Sequence, residues 1–213
     1  MSDAAIARNP AVWAAAAPLI LASKSASRRA LLEACGLDAD TIAVDVDERA
    51  LEDRYFVARG SIGGLPAELA RAKALAASAL RPEAYCLGAD QTLTVGTRLL
   101  HKARDRAEAA ETLAALAGRA HRLTSAFCVA RRGAALVVDS DAADLTMRPL
   151  DQAAILRYLD VAGPAALASV GVYQLEGFGV HLFETIRGDH FTILGLPLLK
   201  LLAWLRAEGL VAL

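Results

Sequence analysis

The run Leu19-Ile20-Leu21-Ala22-Ser23-Lys24-Ser25-Ala26-Ser27-Arg28-Arg29 passes from an unbroken apolar stretch through a polar turn into a helical period carried by Leu31, Leu32 and Cys35. A short continuous apolar run suits a strand covered on both faces. Ser27 is placed to cap the helix that follows, and Gly36 to take the left-handed position that ends it. A buried strand feeding a helix through a tight turn is the repeating unit of an α/β sheet. The junction also gathers free backbone N–H groups, the hydroxyls of Ser23, Ser25 and Ser27 and the guanidinium groups of Arg28 and Arg29, a set suited to phosphate oxygens. A capped helix with solvated arginines is the plainer account of the same residues.

Outward from this corner, Thr41 to Val46 alternates and is β-branched, which predicts a second strand delivering Asp45, Asp47 and Glu48 at its end. Arg49 to Gly64 is polar and aperiodic and reads as a loop, a candidate lid. Pro66 opens a helix to about Ala79. Tyr85 to Gly88 reads as a short strand with Ala89-Asp90-Gln91 at its carboxyl end, and Thr92 to Leu100 as a hairpin turning at Gly96. Asp105 and Glu108 form a capping pair for a helix to Leu116, closed by Gly118. Strands follow over Arg122 to Ala130 and Ala134 to Thr146, then a helix capped by Asp151. Val170 to Leu175 and Val180 to Ile186 read as strands flanking a Gly177-Phe178-Gly179 turn, and Pro197 opens a last, leucine-rich helix that stops before Gly209. Helix-linked strands mixed with hairpins predict α/β with a mixed sheet.

Composition narrows the function classes. The chain has 213 residues, 55% hydrophobic and 22% charged, with 23 basic against 24 acidic side chains. That balance supports a packed core and argues against general affinity for duplex nucleic acid, which needs a basic face. The alanine-rich stretch Ala11 to Ala17 after Arg8 imitates a signal-peptide core, but Pro18 interrupts it and Leu19 starts the folded body. No apolar run is long enough to span a bilayer. Three dispersed cysteines, Cys35, Cys86 and Cys128, suit small buried residues in a reducing cytoplasm. The four histidines make no HxH or HExxH pattern, and the GxxxxGK[ST], GxGxxG and GxSxG signatures are missing.

Chemistry then falls to acids and lysines. Asp90 follows a buried strand, where open α/β sheets bind ligands, and could hold a metal or accept a proton. Glu48 and Asp47 end another strand, and carboxylates from two strands are what Mg²⁺ on a polyphosphate needs. Lys73 and Lys102 are candidate point charges for outer phosphates. Taken singly, each acid or lysine is also an ordinary solvated residue.

The ordered set Leu21 to Arg29, Asp47-Glu48, Gly88-Ala89-Asp90, Arg119-Ala120-His121, Tyr173 with Glu176-Gly177-Phe178-Gly179, and Gly188-Asp189 with Gly195-Leu196-Pro197-Leu198 resembles the Maf family of nucleoside triphosphate pyrophosphatases. The resemblance runs from about Leu19 to Gly209. It implies a Maf/ITPase-like α/β fold, a mixed β-sheet with flanking helices and two lobes around a central cleft. Residues 1–18 would then be an N-terminal extension, 19–209 one domain of two lobes and 210–213 a tail. It implies hydrolysis of a nucleoside triphosphate to monophosphate and pyrophosphate with a divalent cation, Mg²⁺ or Mn²⁺. Carried over by position, Ser23, Arg28, Glu48, Lys73, Asp90 and Lys102 match its functional set, which implies Asp90, Glu48, Lys73 and Lys102 as catalytic, Ser23 and Arg28 as phosphate-binding beside Ser25 of the same turn, and Glu48 and Asp90 as metal-holding. Gln91, Glu176 and Ser27 occupy its base-specificity positions.

The chain departs from the family pattern at Ala26, where proline is usual, at His101-Lys102-Ala103 in place of Gly-Lys-Pro, and over Leu167 to Tyr173, which lacks the usual Asp-Lys pair. Gln91 and Glu176 look like the subgroup acting on 7-methylguanosine triphosphate. A glutamate can accept guanine N1–H and the exocyclic amine together, and the Gln91 amide could donate to O6. That subgroup can carry an aromatic at the position of Ser27. The rivals are a dTTP, UTP or CTP pyrophosphatase and, from another class, a nucleotide-binding regulator of cell division. A homodimer is among the assemblies the resemblance allows.

Overall fold

Strand β1 (Leu19–Ala22) is buried along its whole length and runs parallel to two neighbours, β2 (Asp40–Thr41) and β3 (Tyr85–Val95). Its register sets Leu19 opposite Tyr85 and Ala22 opposite Gly88. The structure is a computed structural model that describes residues 12–59 and 61–212. The further strands are β4 (Arg98–Leu100), β5 (Ala120–Arg131), β6 (Ala134–Met147) and β7 (Phe183–Arg187). They complete a seven-stranded sheet ordered β2-β1-β3-β5-β6-β7, with β4 pairing β3 off this path. Parallel pairing at β1 and antiparallel pairing of β3 with β4 and of β6 with β7 make the sheet mixed. The helices are α1 (Ala26–Ala34), α2 (Glu48–Arg59), α3 (Leu65–Leu80), α4 (Arg106–Leu116), α5 (Gln152–Ala162), the single turn α6 (His190–Ile193) and α7 (Leu198–Ala207).

Several boundaries differ from the sequence expectation. The cap of α1 is Ser25, whose hydroxyl accepts from the Arg28 amide, so Ser27 lies inside the first turn. Only Asp40–Thr41 of the second expected strand pairs, and the expected loop over Arg49 to Gly64 is largely helix α2. Asp47 starts that helix, accepting the Ala50 amide on its carboxylate and the Leu51 amide on its carbonyl. Polar side chains on an exposed helix mask the apolar period, so α2 reads as loop. Gly60 of that segment, like residues 1–11 and Leu213, lies outside the described residues. Strand β3 continues unbroken from Tyr85 to Val95, which puts Asp90 in mid-strand rather than at a strand end. Residues 170–175 form no strand, and Phe178–Leu182 is a 3₁₀ turn leading into β7.

The chain divides into two compact units. The first comprises Met1–Asp90, Ala126–Ser140 and Gly195–Leu213. Its core includes Ile20, Ala22, Ala77, Ala84 and Cys86, and an alanine layer of Ala70, Ala74, Ala126, Cys128 and Ala130. The small side chains of α3 let it lie very close to β3. A Cβ added at Gly88 would stand 2.2 Å from the Ala70 carbonyl oxygen and 2.5 Å from the Ala74 nitrogen. Only glycine allows that approach. Trp13 is buried edge-on to Tyr85 and bridges Val211, with Ala14 donating to the Leu210 carbonyl and Ala212 to that of Val12.

The second unit comprises Gln91–Ser125 and Asp141–Leu194. Its core joins Leu93, Leu113, Leu116, Leu123, Leu145, Met147, Ile155 and Leu159. Asp105 and Asp151 cap α4 and α5 as expected. Within this core Tyr173 packs edge-on against Phe183, and His121 Nε2 meets the Tyr173 hydroxyl at 2.8 Å. His121 Nδ1 makes no hydrogen bond of normal geometry with the described residues. Burial pushes the imidazole pKa down to about 4, against smaller opposing effects of the Arg119 backbone and Asp144. The ring is therefore neutral at pH 7.

Candidate active site

The geometry of the first unit follows from the β1–β3 register. Because Ala22 pairs with Gly88, Ser23 leaves β1 level with Ala89, and Arg28, one turn into α1, reaches back to both. Its Nη1 donates to Ser23 Oγ at 3.0 Å and to the Ala89 carbonyl at 2.9 Å, while Nε donates to the Gly195 carbonyl at 2.7 Å. Gly195 adopts φ +99, and a Cβ there would stand 3.3 Å from Arg28 Nε, so a glycine is needed to aim that carbonyl. Ser23 Oγ also accepts the Ser25 amide at 3.3 Å, and Ser25 caps the helix. Arg28 is buried. Desolvation lowers its pKa, and the negative charges of Asp90 and Glu48 oppose that shift. The guanidinium remains a cation.

The Gly88 contact positions the second half of the cluster. With Ala70 and Ala74 pressed onto the strand, Lys73 of α3 is brought to Asp90, which shares the Gly88 face of β3 by strand alternation. Lys73 Nζ donates to Asp90 Oδ1 at 2.5 Å and pairs with Glu48 Oε1 at 2.8 Å. Lys73 and Asp90 are nearly buried, whereas Glu48, the first residue of α2, is about half exposed. Two carboxylates from different elements thus converge on one cation, close enough to Arg28 for their charges to act on it. Ser23, Ser25, Arg28, Glu48, Lys73 and Asp90 are assembled within this unit. Ser27 is half-buried in the first turn of α1.

Lys102, Gln91 and Glu176 belong to the second unit. Lys102 and Glu176 are exposed, the latter just before the 3₁₀ turn at Phe178–Leu182. Gln91 is half-buried, and its Nε2 faces Ser125 Oγ at 3.0 Å, the Thr192 carbonyl at 3.1 Å and the Ile193 carbonyl at 2.9 Å. An amide nitrogen with two hydrogens is fully engaged by those acceptors. The expected donation from Gln91 to guanine O6 is therefore corrected, because the nitrogen is already bound inside the unit.

Sequence reasoning missed the backbone partners. The Ala89 and Gly195 carbonyls that hold Arg28, and the Gly88 contact that seats Lys73, are not visible as chemically active side chains. Glycine within Gly88-Ala89-Asp90 and within Gly195-Leu196-Pro197-Leu198 was the available signal. Among the described residues, no group of three or more His, Cys, Asp or Glu side chains is clustered to hold a metal ion. The oxygen pair of Glu48 and Asp90 still fits Mg²⁺ on a polyphosphate, since that ion usually takes one or two carboxylates and fills its shell with phosphate oxygens and water. No described helix is long and apolar enough to cross a membrane.

The family model for Maf-like proteins matches residues 18–208. The chain is 49% identical over 201 residues to a nucleoside triphosphate pyrophosphatase of Rhodopseudomonas palustris, covering 94% of this chain and 98% of that protein. A nucleoside triphosphate pyrophosphatase of Bradyrhizobium diazoefficiens matches with the same identity and coverage. A 7-methyl-GTP pyrophosphatase of Rhizobium etli is 49% identical over 193 residues, covering 91% of this chain and 97% of the relative.

Proposed function

The chain belongs to the Maf-like protein family, and from that premise we propose that it is a hydrolase that cleaves a nucleoside triphosphate to the monophosphate and pyrophosphate. The observation that carries the proposal is the Glu48–Lys73–Asp90 cluster beside buried Arg28. Attack of water on the α-phosphorus forms a new P–O bond while the bond to the bridging α,β-oxygen breaks, and pyrophosphate departs with the electron pair. Asp90 accepts the proton of the attacking water, a role suited to a carboxylate oriented by Lys73. Lys73 supplies positive charge where the phosphoryl oxygens gain electron density. Ser23 and Ser25 offer hydroxyls at the α1 turn, and Lys102 offers a further point charge for the outer phosphates.

Arg28 has a narrower part than a full phosphate clamp. Its Nε and Nη1 are committed to Gly195, Ala89 and Ser23, so the Nη2 edge is what remains for a phosphate oxygen. By gripping the Ala89 carbonyl it also fixes the strand just before Asp90. Glu48 and Asp90 would hold Mg²⁺ or Mn²⁺, which when bound supplies neutralising charge to the phosphates.

Within this activity, a guanine nucleotide of the 7-methyl-GTP kind is the preferred substrate. Exposed Glu176 is supplied to accept base N–H groups, and one relative of 49% identity is named a 7-methyl-GTP pyrophosphatase. A triphosphate panel that includes dTTP, UTP, CTP, GTP and 7-methyl-GTP, assayed for pyrophosphate release, tests the proposal. Asp90→Asn with unchanged circular dichroism is expected to lose about 10²–10⁴-fold in turnover. Wild-type turnover in that variant would overturn the role of Asp90. Nucleotide binding without turnover by the wild type would favour a regulator of division instead. Glu176→Gln is expected to reduce guanine turnover more than pyrimidine turnover, and equal losses would remove the carboxylate from base choice.

A further inference from the structure

The two acids that fit a divalent cation are bridged by a cation of the chain itself. Lys73 Nζ lies 2.5 Å from Asp90 Oδ1 and 2.8 Å from Glu48 Oε1, so one ammonium joins carboxylates that come from β3 and α2. Lys73 is no loose surface lysine. Its side chain is 12% exposed, as is that of Asp90, and α3 carries it on the turn that the Gly88 contact presses onto the strand.

Formal charge in this cluster is balanced. Glu48 and Asp90 bring two negative charges, Lys73 and Arg28 two positive ones. The hydrogen bonds of Arg28 go to two carbonyls and a hydroxyl, and the carboxylates whose charges act on it are Asp90 and Glu48. The neighbouring acid Asp47 is exposed and caps α2 through the Ala50 amide. A dication brought to a neutral cluster gains little net Coulomb attraction, yet it has to shed water to reach each carboxylate, which Mg²⁺ does reluctantly. With a neutral side chain in place of Lys73, the remaining three groups would carry one net negative charge. Among the described residues no third His, Cys, Asp or Glu completes a ligand set, so the shell has to be filled by phosphate oxygens and water. A triphosphate supplies those oxygens and also the negative charge to which a flexible ammonium can turn.

We propose that Lys73 is the resident counter-cation of the Glu48–Asp90 pair, that it keeps a lone divalent cation off these acids, and that it passes to a phosphate oxygen when metal and triphosphate arrive together. This rests on the pyrophosphatase reading for the identity of the polyphosphate, and it deepens that reading: the substrate is the metal–triphosphate complex, and Lys73 sets the order of binding. The same ammonium serves twice, first to hold the acids and then to meet the phosphate.

Mn²⁺ is the probe, because the electron paramagnetic resonance signal of the aqueous ion is lost on binding. Full-length wild type, Lys73→Met and Lys73→Arg are titrated with Mn²⁺ alone, with circular dichroism as the check on folding. Lys73→Met is expected to bind at least about tenfold more tightly than wild type, since the charge facing the ion has changed by one unit, and Lys73→Arg as weakly as wild type, since the charge is kept. Adding Asp90→Asn to Lys73→Met should abolish the gain. Equal affinity of wild type and Lys73→Met, a gain in Lys73→Arg as large as in Lys73→Met, or a gain that survives Asp90→Asn would each overturn the inference. If Lys73→Met does not fold, wild type decides: Mn²⁺ held as tightly alone as beside the α,β-methylene analogues of GTP and UTP overturns it. Pyrophosphate release from the nucleotide panel is scored separately. Release by wild type without the expected difference in Mn²⁺ affinity removes this role of Lys73 and leaves the pyrophosphatase reading intact. Release from no triphosphate overturns that reading, while the Mn²⁺ titrations still decide whether Lys73 guards the acids.

Discussion

In the first unit Glu48, Lys73 and Asp90 meet as formal charges brought together from α2, α3 and β3, whereas in the second Gln91, Ser125 and Thr192 meet as neutral dipoles around one amide. Charges act over distance and tolerate small errors of angle; an amide among carbonyls works in one orientation only. Under the proposed function the difference suits two tasks, recognition of a triphosphate by its charge and discrimination of a base by the direction of its donors and acceptors.

The comparison breaks first at Lys73. Lys73→Met should lower kcat/KM for every triphosphate in the panel by about 10²–10³-fold, because the missing charge is common to all of them. A loss confined to one base would erase the division of labour between the units, and a nucleotide panel on the purified variant reads it directly.

The second expected effect is on stability. The unfolded His121 titrates near its ordinary value of 6.5 and the folded one near about 4, so between those values the unfolded chain binds more protons. Stability is fully present above 6.5 and falls as the pH drops toward about 4, by roughly 3 kcal/mol from this group. Urea unfolding at a series of pH values should show that slope, and His121→Gln should remove its share.

Gly88→Ala is expected to cost about 1–3 kcal/mol by pushing α3 from β3, with turnover falling as Lys73 withdraws from Asp90. Denaturant melts and pyrophosphate release measured together check it; a loss of stability with unchanged turnover would detach the helix contact from the cluster. The smallest effect belongs to Ser25→Ala, about 1 kcal/mol for a lost helix cap, read from the same melts.

Much of this was legible in the residues, and unevenly. The apolar run Leu19 to Ala22, the caps at Asp105 and Asp151 and the helix around Lys73 were readable because each signal is local. Helix α2 was hidden by its polar surface, and the long β3 by Gly88 and the charged Asp90, which read as a strand end although the strand continues to Val95. The identities of Glu48, Lys73 and Asp90 were readable, but their convergence depends on how closely α3 lies on the sheet. The polarity of Gln91 was not legible at all. It is set by the carbonyls of Thr192 and Ile193, a hundred or so residues away in the chain, and every residue has such a carbonyl.

The ladder joining Val12 and Ala14 to Leu210 and Ala212 makes the fold a closed circuit of chain. A linker of a few residues from 212 back to 12, with new ends opened at the Gly96 turn, where an added Cβ meets nothing, would give a circular permutant with the same strand neighbours. Such a molecule would offer a place to attach a reporter next to the hairpin that follows Gln91, at no expense to the docked ends.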